Sequence, residues 1–127
     1  MSVQHPYDKT SRPPRLMLDV RISNPISRRP IPEQAKIDTA ADLTRVPERL
    51  RSELEPLKEI SEITVRYGNE EVERHCTYLT TIHINGFELD AEVYFRPSNY
   101  ILVGLNVLNQ LTLCADGKNQ VFTLEDP

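Results

Sequence analysis

The chain has 127 residues and a mass of 14.6 kDa, with 15 Lys and Arg against 19 Asp and Glu, a formal net charge of −4 and 39% apolar residues. That length makes one domain, which buries roughly two-thirds of the surface its unfolded chain exposes and needs no metal or disulfide to hold a core. The negative balance argues against nonspecific binding to nucleic acid or an anionic membrane, no apolar run approaches the roughly 20 residues of a membrane span, and two cysteines, Cys76 and Cys114, are too few for a disulfide scaffold and point to a reducing, cytoplasmic compartment.

Residues 1–14 are polar and proline-rich, with no apolar stretch like that of a signal peptide. They read as a mobile tail, with the ordered domain spanning 15–127. In Leu16 to Ser23, Leu16, Leu18, Val20 and Ile22 alternate with more polar neighbours, the period of a half-buried strand. Asn24-Pro25 ends it, and a loop or irregular hairpin holding Arg28 and Arg29 runs to Pro32. The arginine pair reads as a solvated loop, not a nucleic-acid patch. A short strand over Glu33–Asp38 follows. Pro47 and Glu48 suit a helix start, with Leu50, Leu54 and Leu57 at helical spacing and Pro56 as its stop.

Ile60, Ile63 and Val65 lead into Tyr67-Gly68-Asn69-Glu70-Glu71, a turn signal, so a hairpin with its tip there is expected, returning over Val72 to Ile84. Asn85-Gly86 marks a tight second hairpin, and its partner strand sets Phe87, Leu89, Ala91, Val93 and Phe95 on one face. Ile101-Leu102-Val103 reads as a short strand buried on both sides. Gly104 opens a short helix packed through Leu105, Leu108 and Leu111. Asp116-Gly117 joins Leu111–Ala115 to Gln120–Leu124 as a last hairpin. The sum is mostly antiparallel β with two short helices.

Three constellations carry possible chemistry. Asp38-Thr39-Ala40-Ala41-Asp42 follows a short strand, where Asp and Thr also serve to close turns and cap helices. Ile101 to Leu108 has the form of a buried strand turning tightly into a helix at Gly104. The third is the Tyr67–Glu71 tip. In this order and at this separation they resemble the retropepsins, the retroviral-type aspartic proteases. Asp38–Asp42 is similar to that family's Asp-Thr-Gly-Ala-Asp active-site loop. Ile101–Leu108 is similar to its second signature, an apolar run followed by Gly-Arg-Asn/Asp and an apolar pair, and supplies Gly104 and Asn106. The resemblance covers about Arg15 to Leu124. It implies an all-β fold: a closed or partly open antiparallel β-barrel with one or two short helices, the half-lobe of acid proteases.

The resemblance also implies a mechanism. Two carboxylates share a water and a proton, because like charges at about 3 Å cannot both ionise easily. Asp38 is the catalytic candidate, and Thr39, Ala40, Ala41 and Asp42 support its loop. Tyr67, Gly68 and Asn69 form the flap over an extended peptide or protein substrate. The chain has a single Asp-Thr pair, so the second carboxylate is expected from Asp38 of a second copy in a homodimer. No cofactor and no metal are required. Two positions depart from the family pattern: Ala40 stands where the family has Gly, and Leu105 where it has Arg. That Arg pairs, in viral members, with the Asp equivalent to Asp42, so Asp42 is expected to find Arg45, Arg15 or Arg21, or to face water.

The resemblance thus points to a homodimeric aspartic endopeptidase. Its alternative is a catalytically weak or inactive module of the same fold that dimerises and binds peptide. A third reading is a small all-β structural domain whose Asp-Thr merely closes a turn. Other chemistry is less supported. His75 and Cys76 are strand neighbours and point to opposite faces, His75 and His83 lack a further Cys/His cluster for zinc, and Cys114 reads as a small buried hydrophobe.

Overall fold

A computed structural model describes residues 3–27 and 29–125; Arg28 of the predicted loop, Met1 and Ser2 of the tail, and residues 126–127 lie outside the described residues. The strands are β1 (Val3–Pro6), β2 (Met17–Ser23), β3 (Ile31–Ile37), β4 (Thr44–Pro47), β5 (Glu59–Arg66), β6 (Val72–Ile84), β7 (Phe87–Arg96), β8 (Ile101–Val103), β9 (Thr112–Asp116) and β10 (Val121–Glu125). Two helices are short, α1 (Arg51–Leu54), preceded by a 3-10 turn over Glu48–Leu50, and α2 (Leu105–Leu108).

β2, β3, β8, β4, β7 and β6 hydrogen-bond in that order, and β2 pairs again with β6, which closes them into a barrel. β5 extends the sheet beyond β6. Most pairings are antiparallel, but β3–β8 and β4–β7 are parallel. The core follows the period-2 pattern. Leu18, Val20 and Ile22 turn inward from β2 while Asp19 and Arg21 stay exposed, and Ile82, Ile84, Leu89, Ala91 and Val93 meet them from β6 and β7. The Asn85-Gly86 turn has both residues at positive φ, 52° and 85°, the geometry that a two-residue hairpin demands.

Four expectations change. Residues 3–6, expected within the mobile tail, form β1 against β10, with Val3 opposite Leu124 and His5 stacked 5.2 Å from Phe122. The strand is largely exposed and has no alternation of its own, so its order comes from a distant partner. Cys114 is exposed, not buried: on β9 it falls between half-buried Leu113 and the solvent edge. Leu102 is half-buried while Ile101 and Val103 are fully buried, so β8 has an open face as well as a core face. The helix after Gly104 is also shorter than expected. It packs through Val107 and Leu108, with Leu111 buried beyond its end and Leu105 only half-buried.

Candidate active-site cleft

β3 and β4 lie on either side of β8, so the loop between them, residues 38–43, arches over the end of β8. Backbone bonds fix it there. The Asp38 N–H donates to the Val103 carbonyl at 3.0 Å, the Leu105 N–H to the Ala41 carbonyl at 2.8 Å, and the Asn106 N–H to the Asp42 carbonyl at 3.1 Å. Buried Thr44 accepts from the Gly104 N–H at 3.1 Å and donates to Asn106 Oδ1 at 2.9 Å, while Asn106 Nδ2 donates to the Glu92 carbonyl at 2.8 Å. This crossing explains Gly104. A Cβ there would sit 2.6 Å from the Leu43 carbonyl oxygen and 2.8 Å from that of Ala41, closer than real Cβ atoms come. The two sequence signatures are therefore one structural unit.

The loop presents Asp38 half-buried and Thr39, Ala40 and Asp42 exposed. The Ala40 N–H donates to Asp38 Oδ1 at 2.9 Å, which orients the carboxylate. The side chain of Thr39 has no hydrogen-bond partner among the described residues. Ala40 is not among the residues at positive φ, so its backbone carries no strain for want of a glycine; its methyl simply lines the cleft. Asp42 pairs with none of the arginines considered for it: Arg15 lies 3.8 Å from Asp8, and Asp42 faces water.

Across from this floor stands the β5–β6 hairpin. Between them lies a cleft of about 520 Å³ lined by Asp38, Ala40 and Asp42 below and by Val65, Tyr67 and Gly68 above. Asn69, grouped with them in the sequence, caps the turn instead, its Oδ1 accepting from the Glu71 N–H at 3.1 Å. The tip turn closes with Glu70 N–H to the Tyr67 carbonyl at 3.0 Å and Tyr67 N–H to the Glu71 carbonyl at 2.9 Å. Positive φ falls on Glu70 (67°), not on Gly68, whose missing Cβ would meet nothing within 4 Å. Gly68 thus leaves the tip open without being needed for its shape.

The hairpin is tied down behind its tip. Tyr67 OH donates to Glu73 Oε1 at 3.0 Å, His75 Nε2 lies 2.8 Å from the same oxygen, and the Arg96 guanidinium sits 3.9 Å from the Tyr67 ring centroid. Hydrogen bonds from His75 and Tyr67 hold the Glu73 carboxyl below its usual range. Burial, then the bond to Glu73, pushes the Tyr67 hydroxyl up to about 12. Arg45, Leu102 and Tyr94 also line the cleft. The sequence offers Arg45 only as a partner for Asp42 and Leu102 only as a buried strand residue. Tyr94 has one local signal, a large aromatic on the face of β7 opposite Val93 and Phe95.

His75 and Cys76 do point apart, and the hydrogen bond to Glu59, then burial, raises the Cys76 thiol above its usual range. His83 is held by Ser23 at 2.9 Å. Among the described residues no group of three or more His, Cys, Asp or Glu could hold a metal ion.

No protein-family model and no curated protein matches the sequence. Solved structures do. A retropepsin-like aspartic protease from Rickettsia conorii superposes with a TM-score of 0.64 at 11% identity, over 98% of this chain and 90% of that one. EIAV protease, solved with an inhibitor, gives 0.60 at 14% identity over 75% of this chain and 86% of that one. The foamy viral protease-reverse transcriptase gives 0.59 at 20% identity over 75% of this chain, which corresponds to only 12% of that longer chain. The chain has the retropepsin-like aspartic protease fold.

Proposed function

We propose that the protein is an aspartic endopeptidase that works as a homodimer, with Asp38 from each protomer forming the catalytic pair. The observation that carries this is the Asp38 carboxylate: it is held by the Ala40 N–H, accessible, and set in the floor of a cleft beneath a hairpin. One chain supplies one such carboxylate, and the reaction needs two. The exposed, unpartnered Thr39 beside it suits a contact across a two-fold axis.

With the pair assembled, one Asp38 is ionised and the other protonated. The ionised carboxylate removes a proton from the shared water as its oxygen attacks the scissile carbonyl. The protonated partner donates to the carbonyl oxygen and stabilises the charge that develops there. The proton taken from water then passes to the amide nitrogen, and the C–N bond breaks. An extended peptide suits the cleft because β5 ends the sheet and leaves one strand edge unpaired for main-chain hydrogen bonds.

A second reading has its own observation. Ala40 lines the cleft at the position where the family pattern has Gly, and its added methyl would crowd a passing substrate backbone, so the same fold would serve a weakly active or silent dimeric peptide binder. Pepstatin, a transition-state mimic of peptide hydrolysis, separates the readings. Under the protease reading it raises the melting temperature of the wild-type protein and does not do so for Asp38→Asn, and the same substitution lowers peptide cleavage about a thousandfold or more. Cleavage at the wild-type rate by folded Asp38→Asn would refute the assignment. A large gain from Ala40→Gly indicates catalysis impeded by the methyl, whereas no cleavage by either protein favours the binding module.

A further inference from the structure

Strand β4 places a cation on an otherwise apolar stretch of the cleft. Thr44 and Val46 are fully buried toward the barrel, so Arg45 between them turns to the opposite face, which opens on the cleft. In register it stands beside Leu102 of β8 on one side and Tyr94 of β7 on the other. Ile63 and Val65 of β5 line the wall above this row. Tyr94 is only 6% exposed, and Arg45 Nε is buried without any hydrogen-bond partner. Among the described residues no carboxylate pairs with the Arg45 guanidinium, Asp42 on the same cleft included.

A guanidinium stays charged at any pH the protein survives, and its planar donors match a carboxylate two at a time. Held against Leu102 and Tyr94 with a buried donor unsatisfied, it bears a desolvation cost that an apolar residue would avoid. An incoming carboxylate removes that cost and supplies the missing acceptor. We propose that Arg45 determines specificity, selecting extended peptides with an Asp or Glu side chain where the peptide crosses the Leu102–Arg45–Tyr94 row. The proposal rests on reading the cleft as a peptide site. It adds a substrate class that the Asp38 loop does not define. The rival occupant is an acidic side chain of a second protomer, such as Glu70 or Glu71 at its hairpin tip.

The test uses octapeptides that carry Glu, Gln or Leu at each position in turn, incubated with the full chain and with Arg45→Met and Arg45→Lys. At one position Glu is cleaved in preference to Gln by about tenfold or more in kcat/KM. The ratio falls to about one in Arg45→Met and is partly kept in Arg45→Lys. Asp38-dependent cleavage with no Glu preference at any position overturns the acidic subsite and leaves the protease reading standing; this is also the outcome if a second protomer already neutralises Arg45. Absence of cleavage overturns the protease reading alone. The subsite is then decided by calorimetric binding of the same peptides to Asp38→Asn. A Glu preference that vanishes in Asp38→Asn/Arg45→Met upholds it. No binding, equal binding of Glu and Gln peptides, or a preference that survives the second substitution overturns it.

Discussion

The two walls of the cleft are built in opposite ways. The floor is over-determined: residues 38–42 are bonded to Val103, Leu105 and Asn106, Asn106 is in turn held by Thr44 and the Glu92 carbonyl, and Gly104 by Thr44. The hairpin tip bonds mainly to itself, and Tyr67 reaches back from it to Glu73, His75 and Arg96. The difference separates two tasks. Under the proposed function, a carboxylate that meets its twin across an axis would need a fixed seat, and a segment that lets an extended chain enter and leave would need few ties.

Changes that strike the floor should cost the most. Gly104→Ala forces a methyl against two carbonyl oxygens of the loop, so chemical denaturation should show a loss of about 1–3 kcal/mol, with the Asp38 seat displaced. A variant as stable as the wild type would mean that the loop yields and the floor is not rigid. The hairpin should respond to acid instead. The Glu73 carboxyl titrates below its usual 4.5 in the folded protein, so its ties to Tyr67 and His75 are complete above that pH and are lost as pH falls through the lower folded value. Hydrogen-exchange protection of the Tyr67 and Glu70 amides should therefore drop in acid while that of the Asp38 amide persists. Equal loss at both would erase the contrast between the walls. Smallest is Glu70→Gly. It relieves a left-handed residue at the tip turn and should stabilise by up to about 1 kcal/mol, provided the turn conformation is kept. A destabilised variant would contradict the backbone geometry of the tip.

The floor was also the more legible wall. Asp38–Asp42 and Ile101–Leu108 are local strings whose residue types declare a loop and a tight strand-to-helix turn, and the structure brings them into one unit. The alternation of Leu18, Val20 and Ile22, and Asn85-Gly86 with its two positive φ values, likewise carry their own instructions. What was not legible depends on distant register. β1 has little apolar surface of its own and is ordered by pairing with β10. β4 is a short strand that pairs in parallel with β7, and nothing near Arg45 in the chain announces Tyr94 and Leu102 as its neighbours. Cys114 was misread for the same reason, since only the pairing of β9 with β10 decides which way it faces.

Mixing intact and inactivated chains shows whether one working site takes Asp38 from two of them. Wild-type protein and Asp38→Asn are combined in equal amounts at constant total concentration, allowed to exchange subunits, and assayed for peptide cleavage. If the site needs both carboxylates, only dimers of two wild-type chains cut, and activity settles at about a quarter of the all-wild-type value. A value of about a half would mean that each chain cleaves on its own, and would contradict the shared site.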